Sequence, residues 1–208
     1  MNTVSREETR TRTRSGPRSK KPVQVAVVAI LMGAGVVTSL AHIVGVAGDA
    51  VLVTPPDVTQ DQNESDTAIQ SFDEKQCFTL MADLETDQGT IPAGTEVSCH
   101  MMRVDPVTDT LLQGVALFDA QILGVISGSE ELDDSDSPCG DGVIYPAAGV
   151  EDFRGLEQDT QADAYRPVQG GCGLQLRSEV PPDSFQDQVR IITKCCDEKG
   201  DDPDCCED

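Results

Sequence analysis

The chain has 208 residues, which is enough for one domain of ordinary size with flanking tails and too few for two large domains. Its 37 acidic residues outnumber its 15 basic residues, for a net charge of −22. So acidic a body repels nucleic acid, which we therefore exclude as a partner of the body. Aromatic residues make up 3% and Trp is absent, so the core must be mainly aliphatic.

The N-terminus combines a basic tail with a long apolar segment. Residues 1–22 carry five Arg and two Lys against two Glu, a net charge of +5, and residues 23–48 contain no charged side chain. About 20 apolar residues span a bilayer as a helix, and flanking cations stay in the cytoplasm. We predict a basic cytoplasmic tail, then a transmembrane helix or signal-peptide core, with the body exported outside the cell or into the envelope.

The sequence allows two fates for the apolar segment. Its length favours a retained anchor, which would make the membrane a partner through residues 23–48. Small residues at Gly45-Val46-Ala47 and Gly48-Asp49-Ala50 suit cleavage of a signal peptide.

The body, predicted as one domain over residues 51–194, is a series of short apolar and β-branched runs between Gly, Pro, Asp and Asn clusters. This pattern predicts an all-β fold, an antiparallel β-sandwich of the jelly-roll or immunoglobulin-like kind, preceded by one hydrophobic helix. The predicted strands are Val51–Thr54, Thr67–Phe72, Cys77–Ala82, Glu96–Val104, Gly114–Phe118, Ile122–Ser127, Gly173–Arg177 and Gln188–Thr193.

All eight cysteines follow the apolar segment, which indicates disulfides in an oxidising compartment. Residues 195–208 form an acidic tail that contains Cys195, Cys196, Cys205 and Cys206. We predict two disulfides across the turn within this tail, in preference to a metal held by four thiolates. Two further bridges of open connectivity would then join Cys77, Cys99, Cys139 and Cys172.

The acidic connection Gly128–Tyr145 is a candidate calcium site. Calcium takes six to eight oxygen ligands from carboxylates and loop carbonyls. The candidate ligands are Asp133, Asp134, Asp136 and Asp141, although the spacing is not that of an EF-hand. The alternative interpretation is a solvated acidic loop with no cofactor.

Four further charged residues are predicted to be structural. Arg154 and Glu157 stand in an Arg-Gly-Leu-Glu run, where an ion pair would hold a long loop. Arg190, in the last predicted strand, is predicted to pair with Asp105 or Asp119.

Several segments, in order, resemble a domain family of secreted bacterial proteins. The residues that carry the resemblance are Glu64–Ile69, Phe72–Gln76, Pro92–Pro106, Gly114–Asp119, Ile122–Ile126, Leu132 with Ser135-Asp136, Tyr145, Arg154–Glu157 and Asp187–Thr193. The resemblance covers roughly residues 51–194. It implies export, often with an envelope-sorting anchor, a β fold, and a place for Asp136 in the family pattern, but it carries no assigned activity. The family tends to have His-x-Asp-Pro at Arg103–Pro106 and to lack the cysteines.

The sequence gives no sign of catalytic machinery. His100 is the body's only His, it has no nucleophile motif around it, and oxidised cysteines are not nucleophiles. We therefore predict a non-enzymatic extracellular module that binds a surface glycan or a protein partner, for adhesion or surface binding, with calcium as a stabiliser. The alternative function is a structural, membrane-anchored protein of an envelope or virion.

Overall fold

Short strands with alternating side chains build two sheets in the computed structural model, which describes residues 42–149, 154–156, 163–180, 186–196 and 206. One α-helix, α1, spans Ser129–Cys139. The strands are β1 Ile43–Gly48, β2 Ala50–Leu52, β3 Ile69–Thr79, β4 Leu84–Thr86, β5 Gly89–Ile91, β6 Glu96–Val104, β7 Thr110–Phe118, β8 Ile122–Ile126, β9 Ala164–Val168, β10 Gly173–Val180 and β11 Asp187–Lys194.

The strands form a four-stranded sheet in the order β1-β7-β10-β9 and a five-stranded sheet in the order β2-β3-β6-β11-β8. Strands β4 and β5 form a separate hairpin. All the pairs are antiparallel except β2 with β3, so the five-stranded sheet is mixed. The predicted β class is confirmed, and the arrangement fits a sandwich.

A single apolar cluster joins the two sheets. Ala116, Phe118, Leu174 and Leu176 of the four-stranded sheet share it with residues such as Ile191 of the five-stranded sheet. The other face of the five-stranded sheet is also covered, by α1 and neighbouring loops, so β6 and β11 are buried along nearly their whole length. Polar side chains on that outer face are therefore enclosed and need partners.

The predicted strand Glu96–Val104 matches β6, and most others match to within a few residues. The predicted strands Thr67–Phe72 and Cys77–Ala82 are parts of one strand, β3, which continues through two irregularities in its pairing with β6. Strands β1, β4, β5 and β9 were not predicted. Strands β4 and β5 have three residues each and β9 has five, which is too short for a clear alternation of apolar and polar side chains.

The first strand corrects the predicted boundary of the apolar segment. Ile43–Gly48 pairs with β7 and is therefore part of a sheet rather than the end of a membrane-crossing segment. The sheet structure thus begins eight residues before Val51. The basic tail and residues 23–41 lie outside the described part of the chain.

Among the residues that the structure describes, no helix is both long enough and apolar enough to cross a membrane.

Disulfides attach the tail to the body. The bonds are Cys77–Cys195, Cys99–Cys139 and Cys172–Cys206, and Cys196 is also disulfide-bonded. The predicted pairing within the tail is therefore wrong for Cys195 and Cys206. The strand register gives the reason: Phe78 of β3 and Lys194 of β11 both lie opposite Val97, which brings the neighbouring cysteines to the same end of β6. Cys205 lies outside the described residues.

The disulfide pattern is testable by peptide mapping without reduction, which should recover the three bonds above. Replacing Cys77 and Cys195 together by Ser should lower the free energy of unfolding by about 2–5 kcal/mol, because that bond closes a separation of 118 residues. Recovery of a Cys195–Cys206 peptide in the native protein would contradict this connectivity.

Candidate functional site

The acidic segment predicted as a loop contains helix α1. Leu132, Ser135 and Cys139 recur at helical spacing and are buried against the five-stranded sheet. Glu130 and Glu131 lie in the first turn, where the helix dipole favours negative charge. The spacing of Leu132, Ser135, Asp136 and Cys139 was the available signal for a helix, and the abundant Asp, Ser and Gly residues obscured it.

Arg190 is fully buried and connects α1 to two strands. Its Nε and Nη2 donate to the two carboxylate oxygens of Glu74 at 2.7 and 2.8 Å. Nη2 also donates to Asp136 Oδ1 at 2.9 Å, and Nη1 donates to the Leu132 carbonyl at 3.0 Å and to the Ser135 hydroxyl. Every N–H of this guanidinium therefore has a partner. The predicted pairing of Arg190 with Asp105 or Asp119 is wrong.

Arg154 is the second fully buried guanidinium beside α1. It donates to Asp136 at 2.6 and 3.0 Å and to Asp133 at 2.9 Å. It also donates from Nε and Nη2 to Gln188 of β11 at 3.1 and 2.9 Å. The predicted partner, Glu157, lies outside the described residues.

Gly155 lets the Arg154 segment approach the start of α1. A Cβ at Gly155 would lie 2.2 Å from the Ser127 carbonyl oxygen, which no side chain permits. The Gly155 N–H donates to Ser129 Oγ at 3.1 Å, and the Leu156 N–H donates to the Ser127 carbonyl at 2.8 Å. The Arg-Gly-Leu run thus positions the Arg154 guanidinium through close backbone contact.

Tyr145 covers both guanidinium groups. Its ring centroid lies 5.3 Å from Arg190 Cζ and 5.8 Å from Arg154 Cζ, and its hydroxyl donates to Glu74 at 2.5 Å. Burial, together with the negative charge of Glu74, raises the pKa of the Tyr145 phenol above its usual range. Burial by itself lowers the pKa of Arg190, but the charge and hydrogen bond of Glu74, together with Tyr145 and Asp136, outweigh it and hold that pKa above the usual value. Arg190 therefore stays charged at any physiological pH.

The carboxylates predicted to bind calcium have other roles. Asp133 and Asp136 accept hydrogen bonds from arginines, whereas Asp134 and Asp141 are exposed. Within the described ranges, no group of three or more His, Cys, Asp or Glu side chains is arranged to hold a metal ion. At Asp133 and Asp136, guanidinium N–H groups occupy lone pairs that a cation would need.

Asp105, predicted to be structural, pairs with the third buried guanidinium. Arg103 Nη2 donates to Asp105 Oδ2 and to the Thr59 carbonyl, and Nε donates to Gln186. Burial raises the pKa of the Asp105 carboxyl to about 6, against the lowering effect of Arg103. Arg103 and Asp105, two residues apart, thus form a buried ion pair at the end of β6.

A groove of about 510 Å³ opens between the outer side of α1 and the β3–β4 connection. Phe78, Leu80, Leu84 and Pro138 provide apolar walls, and the side chain of Met81 is 92% exposed at the rim. Lys75 crosses the floor, with its Nζ 4.2 Å from the Phe78 ring centroid and 2.9 Å from the Pro138 carbonyl oxygen. A cavity of this size with apolar walls is typical of ligand sites.

The rim of the groove is acidic. Asp83, Glu85, Glu131 and Asp134 line it and are all exposed, whereas Lys75 is its one cationic side chain. None of these four carboxylates forms a salt bridge with another residue in the part of the chain that the structure describes. The nearby Asp133 and Asp136 pair with arginine, whereas Glu131 and Asp134 place negative charge without a salt bridge on the groove side of α1.

Irregular pairing in β3 shapes this groove. The register with β6 shifts between Asp73 and Lys75 and again between Lys75 and Phe78, and Cys77 has a φ of 38°. Such bulges turn side chains away from the regular alternation and occur often beside functional sites. Here Lys75 and Phe78, on either side of the second shift, both line the groove. Cys77, which lies between them in sequence, is bonded to Cys195.

A second polar cluster contains both His100 and His42, so the prediction that His100 is the body's only histidine is wrong. His100 Nδ1 lies 2.7 Å from Asp73 Oδ1, and Nε2 lies 2.9 Å from Thr193 Oγ1. The distances match an acid–His–hydroxyl chain, but His100 and Thr193 are fully buried and none of the three lines the groove. The His42 ring also contacts Asp73, at 3.1 Å. Burial raises the pKa of Asp73, but the hydrogen bond and charge of His100, with hydrogen bonds from His42 and the Ile43 N–H, together outweigh it, so the net pKa is lowered.

No protein-family model, curated protein or solved structure matches this chain. The resemblance to a secreted bacterial domain therefore stays a prediction. So does the expectation that the protein is not an enzyme. Of the residues predicted as sites, the structure brings together Arg154, Arg190, Asp133 and Asp136. Sequence reasoning missed the role of Glu74, although this residue lies in the Phe72–Gln76 segment, and it missed the groove, which no motif marks.

The arginine network is tested by Glu74→Gln, which removes the charge that faces Arg190 in the interior. We expect the free energy of unfolding to fall by about 3–5 kcal/mol, because one partner of a buried ion pair is lost. The matched control is Glu131→Gln on the exposed side of α1, expected to change it by less than about 0.5 kcal/mol. Equal effects of the two substitutions in urea unfolding would contradict the network's role.

The His100–Asp73 cluster predicts a pH-dependent contribution to stability. Because the folded pKa of Asp73 lies below its usual value of 3.8, the stability it contributes is present above that pH and is lost as the pH falls further. Asp73→Asn should destabilise the protein by about 1.5–3 kcal/mol at pH 7, as expected for a hydrogen bond to a charged group. Urea unfolding at pH 7 and pH 3 checks this, and a difference that does not shrink at pH 3 would refute it.

Proposed function

We propose that the protein is an exported, non-enzymatic β-sandwich module that binds a basic segment of a protein partner at the groove beside α1. The observation that carries this proposal is the combination of apolar walls with four exposed carboxylates on the rim, none of which forms a salt bridge with another described residue. A site of this composition favours a ligand that is both apolar and cationic. Export is supported by the disulfides, which persist in oxidising compartments.

The groove suits a peptide with Lys or Arg residues around one apolar side chain. The apolar side chain would pack on Phe78, Leu84 and Met81, since Met adapts its shape to different partners. The cations would lie beside Glu131 and Asp134, and their aliphatic stems would cover apolar wall. The strongly acidic body would also speed association with such a partner at low salt.

The supports of the groove keep its shape before a ligand arrives. On one side, α1 is fixed by Arg190, Arg154 and the Cys99–Cys139 bond. On the other side, the β3 end is attached to β11 through Cys77–Cys195. A preformed site loses less conformational entropy on binding.

The proposal is tested with a fluorescein-labelled peptide of alternating Lys and Leu, titrated with the oxidised protein and followed by anisotropy. The double substitution Glu131→Gln with Asp134→Asn should weaken binding about 5- to 10-fold at low salt, because two exposed charges are lost beside the ligand. The effect should diminish in 1 M salt.

The matched control is Glu130→Gln with Asp141→Asn, which removes the same charge from exposed positions outside the groove lining. Met81→Ala should weaken binding without changing the melting temperature, because this side chain is 92% exposed. If the control pair weakens binding as much as the groove pair, the peptide senses only net charge and the groove proposal fails. A glycan array tests the other predicted class of partner.

The alternative function, a structural membrane-anchored protein of an envelope or virion, rests on retention of the apolar segment. Most of that segment lies outside the described residues, so this alternative stays a prediction. We find no observation in the described residues that favours it over a binding module.

A further inference from the structure

Strand β1 belongs to the folded domain, which excludes the two cleavage sites predicted first. Its backbone pairs with β7 at five positions, from Ile43 opposite Phe118 to Gly48 opposite Gly114. Ile43 is buried in the core shared by the sheets, as is Ala50 at the start of β2. Cleavage after Ala47 or Ala50 would remove this strand and leave the edge of β7 uncovered. Any leader must therefore end before Ile43.

The backbone just before β1 lies between two carboxylates from other parts of the domain. The His42 N–H donates to Asp119 Oδ1 at 2.8 Å, and the Ile43 N–H donates to Asp73 Oδ1 at 3.1 Å. In return, the His42 carbonyl accepts from the Asp119 N–H at 3.3 Å. The His42 nitrogen thus lies in negatively charged surroundings, which would suit an ammonium group better than a neutral amide.

The sequence immediately before His42 has the composition of a signal-peptidase site. Ser39 and Ala41 are small residues at the third and first positions before the Ala41–His42 bond. The residues from Val25 to Val37 before them are all apolar or Gly and follow the basic tail, as the hydrophobic and basic regions of a signal peptide do.

We propose that a signal peptidase hydrolyses the Ala41–His42 bond and that the mature protein begins at His42, with its new ammonium group paired to Asp119. Water adds across the peptide bond, the leader keeps the Ala41 carboxylate, and His42 takes up the proton as an ammonium. The ammonium occupies the place of the amide nitrogen, 2.8 Å from Asp119 Oδ1. Processing thereby converts a neutral hydrogen bond into an ion pair at the start of β1.

The test is the intact mass of the protein exported from bacteria that express the full-length chain. The expected mass corresponds to a start at His42, with all cysteines oxidised. Ala41→Leu should abolish processing, because the position before the cut must be small. The control is Ala47→Leu, at an exposed position of β1, which should leave processing unchanged. A product that starts at Met1, Gly48 or Val51 would overturn the proposal.

The ammonium–Asp119 pair is tested separately by Asp119→Asn, which keeps an acceptor oxygen but removes the charge. In the processed protein, this substitution should lower the melting temperature by about 2–4 °C at low salt and by less at high salt. In the unprocessed Ala41→Leu chain, compared in the same detergent, it should have little effect, because the His42 amide is neutral. Equal losses in both forms would overturn the ion pair.

Discussion

The structure depends on the enclosure of charge beneath helix α1. The guanidinium of Arg190 lies on the outer face of the five-stranded sheet, and its N–H groups reach Glu74 on β3 and Asp136, Ser135 and the Leu132 carbonyl on α1. A buried charge is tolerated only when it is paired and hydrogen-bonded throughout. The helix must therefore lie in one position on the sheet, since any shift would leave part of this guanidinium without acceptors.

That constraint divides four of the five acids of α1 into two pairs. Asp133 and Asp136 face inwards and are neutralised by arginines, whereas Glu131 and Asp134 face the groove and keep their charge. One amphipathic helix thus serves as a structural clamp on one side and as the acidic wall of a candidate binding site on the other. A change that alters the clamp would also alter the geometry of the groove, which is why variants on the two sides need separate stability measurements.

The disulfides hold helix α1, strand β3 and the C-terminal tail in place. Cys99–Cys139 fixes the end of α1 to β6, Cys77–Cys195 joins β3 to the residue after β11, and Cys172–Cys206 holds the tail beside the four-stranded sheet. The core is poor in aromatic residues, and buried charge pairs and disulfides add to its stability. This combination suits an oxidising compartment, in agreement with the position of every cysteine after the apolar segment.

Local pattern determined the β class, the position of strand β6, most of the other longer strands and the oxidation of the cysteines, because strand alternation and cysteine placement are properties of neighbouring residues. It also singled out Asp136, Arg154 and Arg190. Only the tertiary structure decided their partners, because Glu74 is 116 residues from Arg190 and no local signal joins them. The tertiary structure likewise decided that the acidic segment is a helix and that Ile43–Gly48 is a strand. The helix depends on packing against the five-stranded sheet, and the strand depends on pairing with β7. The sequence alone cannot show whether a polar residue on a strand faces water or lies under a helix.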